Sequence, residues 1–347
     1  MLDTILSRLT ATMLAIIRFL STGLLAMAVV AHAYETPHQP PPAFELVALG
    51  VQGGLQDGDL SAWLARAPQD EHYLALDAGT LLPGIQRALQ RGAFGPPPAA
   101  AQATAAGQVL RERITGYFVS HPHLDHVAGL LIAATDDTRK PIYGLPSTLQ
   151  ALSDDYFNWS AWPNFADRGT APALGQYALR DEPPGQWFAI EGTSLQGLLL
   201  PLRHDRMTSS LLLVRSGDAY LAYFGDTGAD AVQHATRLAA AWRRLAPLVR
   251  AGTLRALVIE VSYPDDVPDS RLYGHLTPRW LLRELRALAT QAGGGDALRG
   301  LPVVVTHIKP SLQAGRDPRA LIEAQLRAGN DLGIAFVLPR QGDRLVF

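Results

Sequence analysis

"SHPHLDHVAGL", residues 120–130, places three histidines and one aspartate within six positions, between an apolar run and a glycine. A packed core has no use for that density of polar groups, because burying them unpaired is costly. In an extended segment side chains alternate, so His121 and His123 point to the same side. Leu124 is then expected to face inward, with Asp125 and His126 turned to the same pocket. Imidazole and carboxylate suit zinc, manganese or iron. The chain has no cysteine. Thiolate sites and disulfides are therefore excluded, and any metal is held by His, Asp or Glu. Two ligand pairs this close can serve two ions, but three His and one Asp are too few to hold both.

The missing ligands must lie downstream, and the strand pattern says where. The runs "FELVALGV", "HYLALDAG", "ITGYFVSH", "LQGLLLPL", "SSLLLVRSG", "AYLAYFGD", "ALVIEVSY" and "LPVVVTHI" are short, apolar or alternating, and end near Gly, Asp, Ser or Pro. Helical patterns separate them. Residues 230–249 read as one long Ala/Leu-rich helix. Another follows Thr277 as N-cap with Pro278 next, and a third follows Asp317-Pro318 and stops at Gly329. This order predicts a layered α/β domain with mixed sheets. In such folds sites are built at strand ends, where loops converge over a rigid sheet. His121, Asp226, Glu260 and His307 each end a predicted strand, and His204 follows another. The expected set is His121, His123 and His204 for one ion, and Asp125, His126 and His307 for the other. Asp226 lies between them as a bridging carboxylate; in "FGDTG" it also suits a turn. His32, His38, His72 and His234 stand alone and are set aside. Residues 92–107, "GAFGPPPAAAQATAAG", read as a Pro/Ala-rich surface insertion.

"SHPHLDHVAGL" resembles the H-x-H-x-D-H signature of the metallo-β-lactamase superfamily, and "GDTG" and "THIKP" resemble its later metal boxes. The ordered blocks "SHPHLDHVAGL", "SSLLL", "FGDTG", "IEVSYPD", "GHLTP" and "THIKP" are similar to the class II 3′,5′-cyclic-nucleotide phosphodiesterases, over roughly residues 114–310. Pro122 and Tyr273 depart from the usual pattern, and neither removes a ligand. The resemblance implies a four-layer αββα sandwich with two mixed sheets flanked by helices. It also implies two divalent metal ions, with zinc the first expectation, and a homodimer.

Two metals about 3.5–4 Å apart can share a hydroxide and offset charge developing on a phosphoryl group. A cyclic phosphodiester attacked in line then opens, and cleavage of the 3′ bond of cAMP, or of cGMP, yields the 5′-nucleotide. The leaving oxygen needs a proton. Glu260 ends an apolar strand, where an unpaired carboxylate is costly, and His275 is a partner that would relieve that cost. With His275 held by Glu260, the pair is expected to act as general acid, supported by the resemblance. A merely supporting His275, or one marking the start of a helix, is the alternative. Asp77 is expected to orient a ligand histidine or to cap buried backbone. Lys309 either touches phosphate or is solvated. The aromatic stretch "DYFNWSAWPNF", residues 155–165, reads more as a flap or core patch than as a purine platform.

Rival readings are another hydrolase on the same scaffold, such as an arylsulfatase, lactonase or RNA-processing nuclease, and a metal-loaded binding protein without turnover. "GHLTP" and "THIKP" argue against a lactonase. The net charge of −2 over 347 residues argues against a nuclease and against any nucleic-acid partner. Arg8 and Arg18, the apolar run Phe19–Val30 and the small-x-small Ala31-His32-Ala33 read as an export signal over residues 1–33. Met13 is an alternative start. Loss of Asp3, Arg8 and Arg18 takes the net charge from −2 to −3. Residues 34–347 are then a single exported domain, expected in a bacterial periplasm, with no stable membrane association after cleavage.

Overall fold

The apolar runs are nearly continuous, as strands covered on both faces must be. The computed structural model describes residues 41–95 and 103–347. The export segment and residues 96–102 of the Pro/Ala-rich insertion lie outside the described residues. Pro42–Phe347 forms one compact unit. One sheet contains β1 (Glu45–Gly50), β2 (Ala62–Arg66), β3 (Tyr73–Ala78), β4 (Ile114–Phe118), β5 (Lys140–Gly144) and β6 (Tyr177–Asp181), closed by β14 (Arg344–Val346) beside β1. The second runs β7 (Trp187–Ala189), β8 (Gln196–His204), β9 (Met207–Ser216), β10 (Ala219–Phe224), β11 (Leu254–Glu260), β12 (Pro302–Thr306) and β13 (Ala335–Val337). Both sheets are mixed, as predicted. The predicted strands are present, while β2, β5, β6, β7, β13 and β14 escaped the sequence pattern.

Three apolar cores make four layers. Between the sheets, Leu46, Trp63, Leu74, Leu76 and Phe118 meet Leu199, Leu212, Leu221, Val258 and Val304. Tyr73 and Ala75, alternating with Leu74 and Leu76, face the other way. There α1 (Leu82–Gln90) and α2 (Leu124–Ala133) cover the first sheet. On the second, Leu257, Ile259, Val303 and Val305 pack under α3 (Arg237–Arg250), α4 (Pro278–Gln291) and α5 (Pro318–Gly329). Each buried Leu or Ile is worth about 1.5–3 kcal/mol of transfer free energy, so two-sided burial is what fixes the strands.

The helix expected over 230–249 is broken. Asp230–Gln233 forms one turn, His234 takes a left-handed φ of 49°, and α3 begins at Arg237. Asp230 causes the break. Its carboxylate accepts from the Leu238 and Ala239 amides (3.1 and 2.8 Å) and so caps the later helix. Asp317 caps α5 as expected, accepting from the Ala320 amide at 3.1 Å, and Gly329 is its last residue. Thr277 occupies the N-cap position of α4 without a side-chain cap bond.

Strand direction brings the site together. β3 and β4 are parallel, and β10, β11 and β12 are parallel. β8 is antiparallel to β9, and β9 to β10, so β8 runs with β10. The C-terminal ends of β8, β10, β11 and β12 therefore emerge at one edge. A bridge between Gln52 and Ile308 ties that edge to the first sheet.

A candidate metal centre at the sandwich edge

β4 ends at Phe118, and the chain runs on to His123, the extended N-cap of α2 (φ −64°, ψ 147°). His121 and His126 are buried, and His123 and Asp125 half-buried. Leu124 does not face inward: it is 61% exposed. The helix starts at Leu124, so Leu124 turns outward while Asp125 and His126 in the same first turn face the other sheet. His204 ends β8, Asp226 lies two residues past β10, Glu260 ends β11 and His307 follows β12. All four are buried.

These side chains converge. His121 Nε2 is 3.0 Å from His123 Nδ1. His126 Nε2 is 3.3 Å from His307 Nε2, which is 3.2 Å from Asp125 Oδ2. Asp226 stands between the groups. Its Oδ1 is 3.2 Å from His126 Nε2, and its Oδ2 is 3.2 Å from His307 Nε2 and 3.8 Å from both His121 and His204 Nε2. The structure brings together both triads predicted from sequence: His121, His123 and His204, and Asp125, His126 and His307. Within each, the donor atoms lie within 4.8 Å of one another.

The outer ring nitrogens decide what the inner ones do. His126 Nδ1 donates to Asp77 Oδ2 at 2.8 Å. The Ser262 hydroxyl donates to Glu260 Oε2 (2.6 Å), and therefore accepts from His307 Nδ1 (2.9 Å). The Ser120 hydroxyl donates to Asp77 Oδ2 (2.8 Å) and accepts from His121 Nδ1 (3.1 Å). His204 Nδ1 donates to the Gly274 carbonyl at 3.0 Å. Each neutral ring is left with a bare Nε2 lone pair facing inward. In the neutral rings, lone pairs this close repel. A divalent cation relieves that repulsion, and neutral imidazole with carboxylate is a suitable donor set for one.

Electrostatics agree. Burial pushes His121 well below its ordinary value, with the neighbouring His126 charge adding to it. Burial also lowers His204. For Asp226 burial acts upward, but the charges of His307 and His126 outweigh it and hold the carboxyl well below the usual range. Burial likewise opposes a proton on His126, and Asp226 and Asp77 more than compensate, so its value is well raised. The two carboxylates beside His126 thus call for positive charge, which a proton on the ring supplies in the absence of an ion and a metal would supply in its place.

The scaffold around the donors is strained and crowded. Of the six non-glycine residues at positive φ among the described residues, Asp77, Asp205, Tyr273 and His307 surround the site. Asp77, the penultimate residue of β3, sits at φ 54° and gathers four donors: the Ser120 amide and hydroxyl, His126 Nδ1 and the Tyr223 hydroxyl, all within 2.7–2.8 Å. It both holds the His126 ring and caps the buried Ser120 amide. At Gly53 a Cβ would come within 2.2 Å of the His307 ring. The neighbouring Gly54 amide donates to Asp125 Oδ2 at 3.0 Å.

Glu260 and His275 meet as predicted, with His275 Nδ1 2.9 Å from Glu260 Oε1. Oε1 also accepts from the Thr227 amide (2.9 Å), and Oε2 from the Ser262 hydroxyl (2.6 Å) and more weakly from the Leu276 amide (3.4 Å). Glu260 therefore has no free lone pair for a metal. Burial raises its pKa, but the charge and hydrogen bond of His275, with the His307 charge, together outweigh it and leave it lowered. His123, Asp125, His204, Asp226, His275 and Lys309 line a cavity of about 480 Å³. None of residues 155–165 lines it. Phe157 is buried in the helix-side core, and the Tyr156 hydroxyl donates to the Pro122 carbonyl at 2.7 Å. A larger cavity of about 800 Å³ beside α2 contains no histidine, so volume does not mark the chemistry. Sequence reasoning missed Ser120, Tyr223, Thr227 and Ser262, which look like ordinary strand and turn residues.

The fold has counterparts. A structure of unliganded yeast PDE1 superposes with a TM-score of 0.76 at 23% identity, over 88% of this chain and all of that one. The metallo-β-lactamase fold protein YhfI from Bacillus subtilis superposes with a TM-score of 0.56 at 15% identity, over 88% and 99%. In sequence, a protein described as a probable 3′,5′-cyclic-nucleotide phosphodiesterase of Yersinia pestis is 48% identical over 307 residues, 88% of this chain and 90% of its own length. The family model for class-II cAMP phosphodiesterases matches residues 46–342. With that match across the whole described fold, the chain belongs to the class II cAMP phosphodiesterases.

Proposed function

We propose that the enzyme opens 3′,5′-cyclic nucleotides, cAMP or cGMP, to 5′-nucleotides, with two divalent ions, zinc foremost, held by the two donor triads. When bound, the ions supply an activated nucleophile at neutral pH and offset phosphoryl charge. Asp226 spans the triads, and Asp77, Ser120 and Ser262 hold the rings in the ligating tautomer. Water attacks phosphorus in line, the P–O3′ bond breaks, and O3′ takes a proton. His275 supplies that proton from Nε2, because Glu260 occupies Nδ1 and stabilises the imidazolium. Lys309, on the same cavity wall, faces the phosphate.

The observation that carries this reading is the 2.9 Å contact between His275 and a Glu260 carboxylate whose other lone pairs are already used. A second reading has its own support: His275 Nδ1 is also 3.7 Å from Asp226 Oδ2, and His275 groups with His204 and Asp226 as a donor set. His275→Ala separates the two. As general acid, its loss lowers kcat on cAMP by roughly 10²–10⁴-fold. A diester with a p-nitrophenolate leaving group, which needs no proton, is spared, and metal content is kept. Equal loss on both substrates together with lost metal makes His275 a ligand instead.

Export is part of the proposal, supported by Arg8, Arg18 and the apolar run before Ala33. Among the described residues no helix is long and apolar enough to cross a membrane. Periplasmic recovery with an N-terminus at Tyr34 is expected, and full-length chain in the cytoplasm would refute it. A homodimer is the proposed assembly, and light scattering at the monomer mass would exclude it.

A further inference from the structure

The cavity over the metal centre is lined by one aromatic side chain besides its histidines, Tyr273. The residue is 65% exposed, so it adds little to any core. Its backbone sits at φ 50°, where asparagine or glycine is at ease and a bulky side chain is strained. The turn holding it is rigid on both sides. Leu272 before it is fully buried. Gly274 after it accepts from His204 Nδ1 and is packed so closely that a Cβ would lie 2.7 Å from that atom and 2.4 Å from the Asp205 amide. A strained, exposed ring on a fixed turn, two residues from His275, has no packing role to explain it.

The reacting phosphorus must lie over Asp226 and within reach of His275. The sugar and base then extend towards the exposed side of the cavity, where Tyr273 stands. Resting on the proposed cyclic-nucleotide reading, we infer that Tyr273 is the platform on which the substrate base stacks. The remaining lining residues outside the ligands and His275 are Asp205, Arg206, Met207 and Lys309. Asp205 and Arg206 among them carry groups able to hydrogen-bond a base edge, whereas stacking on Tyr273 serves every purine alike and does not itself separate cAMP from cGMP.

The test compares the full-length enzyme with Tyr273→Asn and Tyr273→Phe. Asparagine tolerates the left-handed backbone, so the ring is removed without added strain. Substrates are cAMP, cGMP and the base-free 1-O-methylribose 3′,5′-cyclic phosphate. Tyr273→Asn should raise KM for both nucleotides by roughly 5- to 100-fold, the range of one lost base stack. The base-free diester should be unaffected and kcat kept, and Tyr273→Phe should match the parent. An unchanged KM for cAMP overturns the inference. So does an equal rise for the base-free diester, because the ring would then shape the cavity and not bind the base. If the parent enzyme turns over none of the three, the cyclic-nucleotide reading itself fails and the base subsite falls with it.

Discussion

Two buried polar clusters lean on the first sheet, and they are opposites. On its helix-facing side, Lys140 and Asp137 are 4% and 8% exposed. Asp137 Oδ2 accepts from the Tyr117 and Tyr177 hydroxyls (2.5 and 3.0 Å), and Oδ1 accepts from the Thr138 amide (2.7 Å) and Lys140. Lys140 also donates to the Leu110 carbonyl. Every donor there faces an acceptor. At the sheet edge, by contrast, His126 and His307 turn Nε2 on Nε2 across 3.3 Å. Buried polarity alone therefore does not mark a site. A closed network holds structure, whereas facing acceptors with no donor between them ask for a cation.

That contrast can be broken by experiment. The largest effect belongs to the open cluster. Asp226→Asn should lower kcat by roughly 10³-fold, since a metal's several kcal/mol of charge stabilisation is lost and each factor of ten is about 1.4 kcal/mol. Metal analysis should show the ions lost and circular dichroism an unchanged fold. In the closed cluster the signs reverse. Lys140→Met should cost about 3–5 kcal/mol of stability by leaving Asp137 buried and unmatched, as read by urea unfolding, with kcat/KM unchanged. Lost activity without lost stability would make Lys140 functional and void the distinction.

Asp77→Asn tests the outer support of the open cluster. It keeps the shape and the left-handed backbone but removes the charge behind His126, so metal affinity should fall about 10–100-fold in a chelator competition. The smallest effect lies at Glu45, a third polar cluster, closed like that of Asp137. Its carboxylate accepts from Arg66, Tyr73 and Arg344 across β1, β2, β3 and β14. Burial alone would raise its pKa, but these bonds lower it to about 2 from 4.5. A depressed carboxyl stabilises the fold above pH 4.5, and that stability is lost as pH falls towards about 2. Because the Arg344 side chain is 48% exposed, solvent screening leaves about 1–2 kcal/mol of it. Glu45→Gln should flatten the acid limb of the stability curve by that amount.

The convergence of the open cluster was largely legible in the sequence because its His and Asp residues fall in two readable places. Four sit within residues 121–126, and the others end apolar strands. Its supports were not legible. Tyr223 reaches in from β10, and Ser120 and Ser262 from just past the ends of β4 and β11, and a lone hydroxyl there has no pattern of its own. Leu124 was misread because an extended run was carried one residue past the point where α2 begins. The helix over 230–249 was misread for a similar reason. The one proline of that stretch, Pro247, lies inside α3 and away from the break, which comes from Asp230 reaching forward to cap α3. Short strands such as β5, "KPIYG", hide because a proline and a lysine obscure the pattern. The four layers themselves were expected from resemblance, and three separate cores realise them.

The central claim is that the facing donors hold ions on which cyclic-nucleotide hydrolysis depends. The direct test is cAMP turnover by the purified chain before and after chelation, with metal content and product identity followed together. The account predicts that turnover disappears as the ions leave, returns when a divalent ion is added back, and yields 5′-AMP. Undiminished turnover by metal-free protein would contradict it.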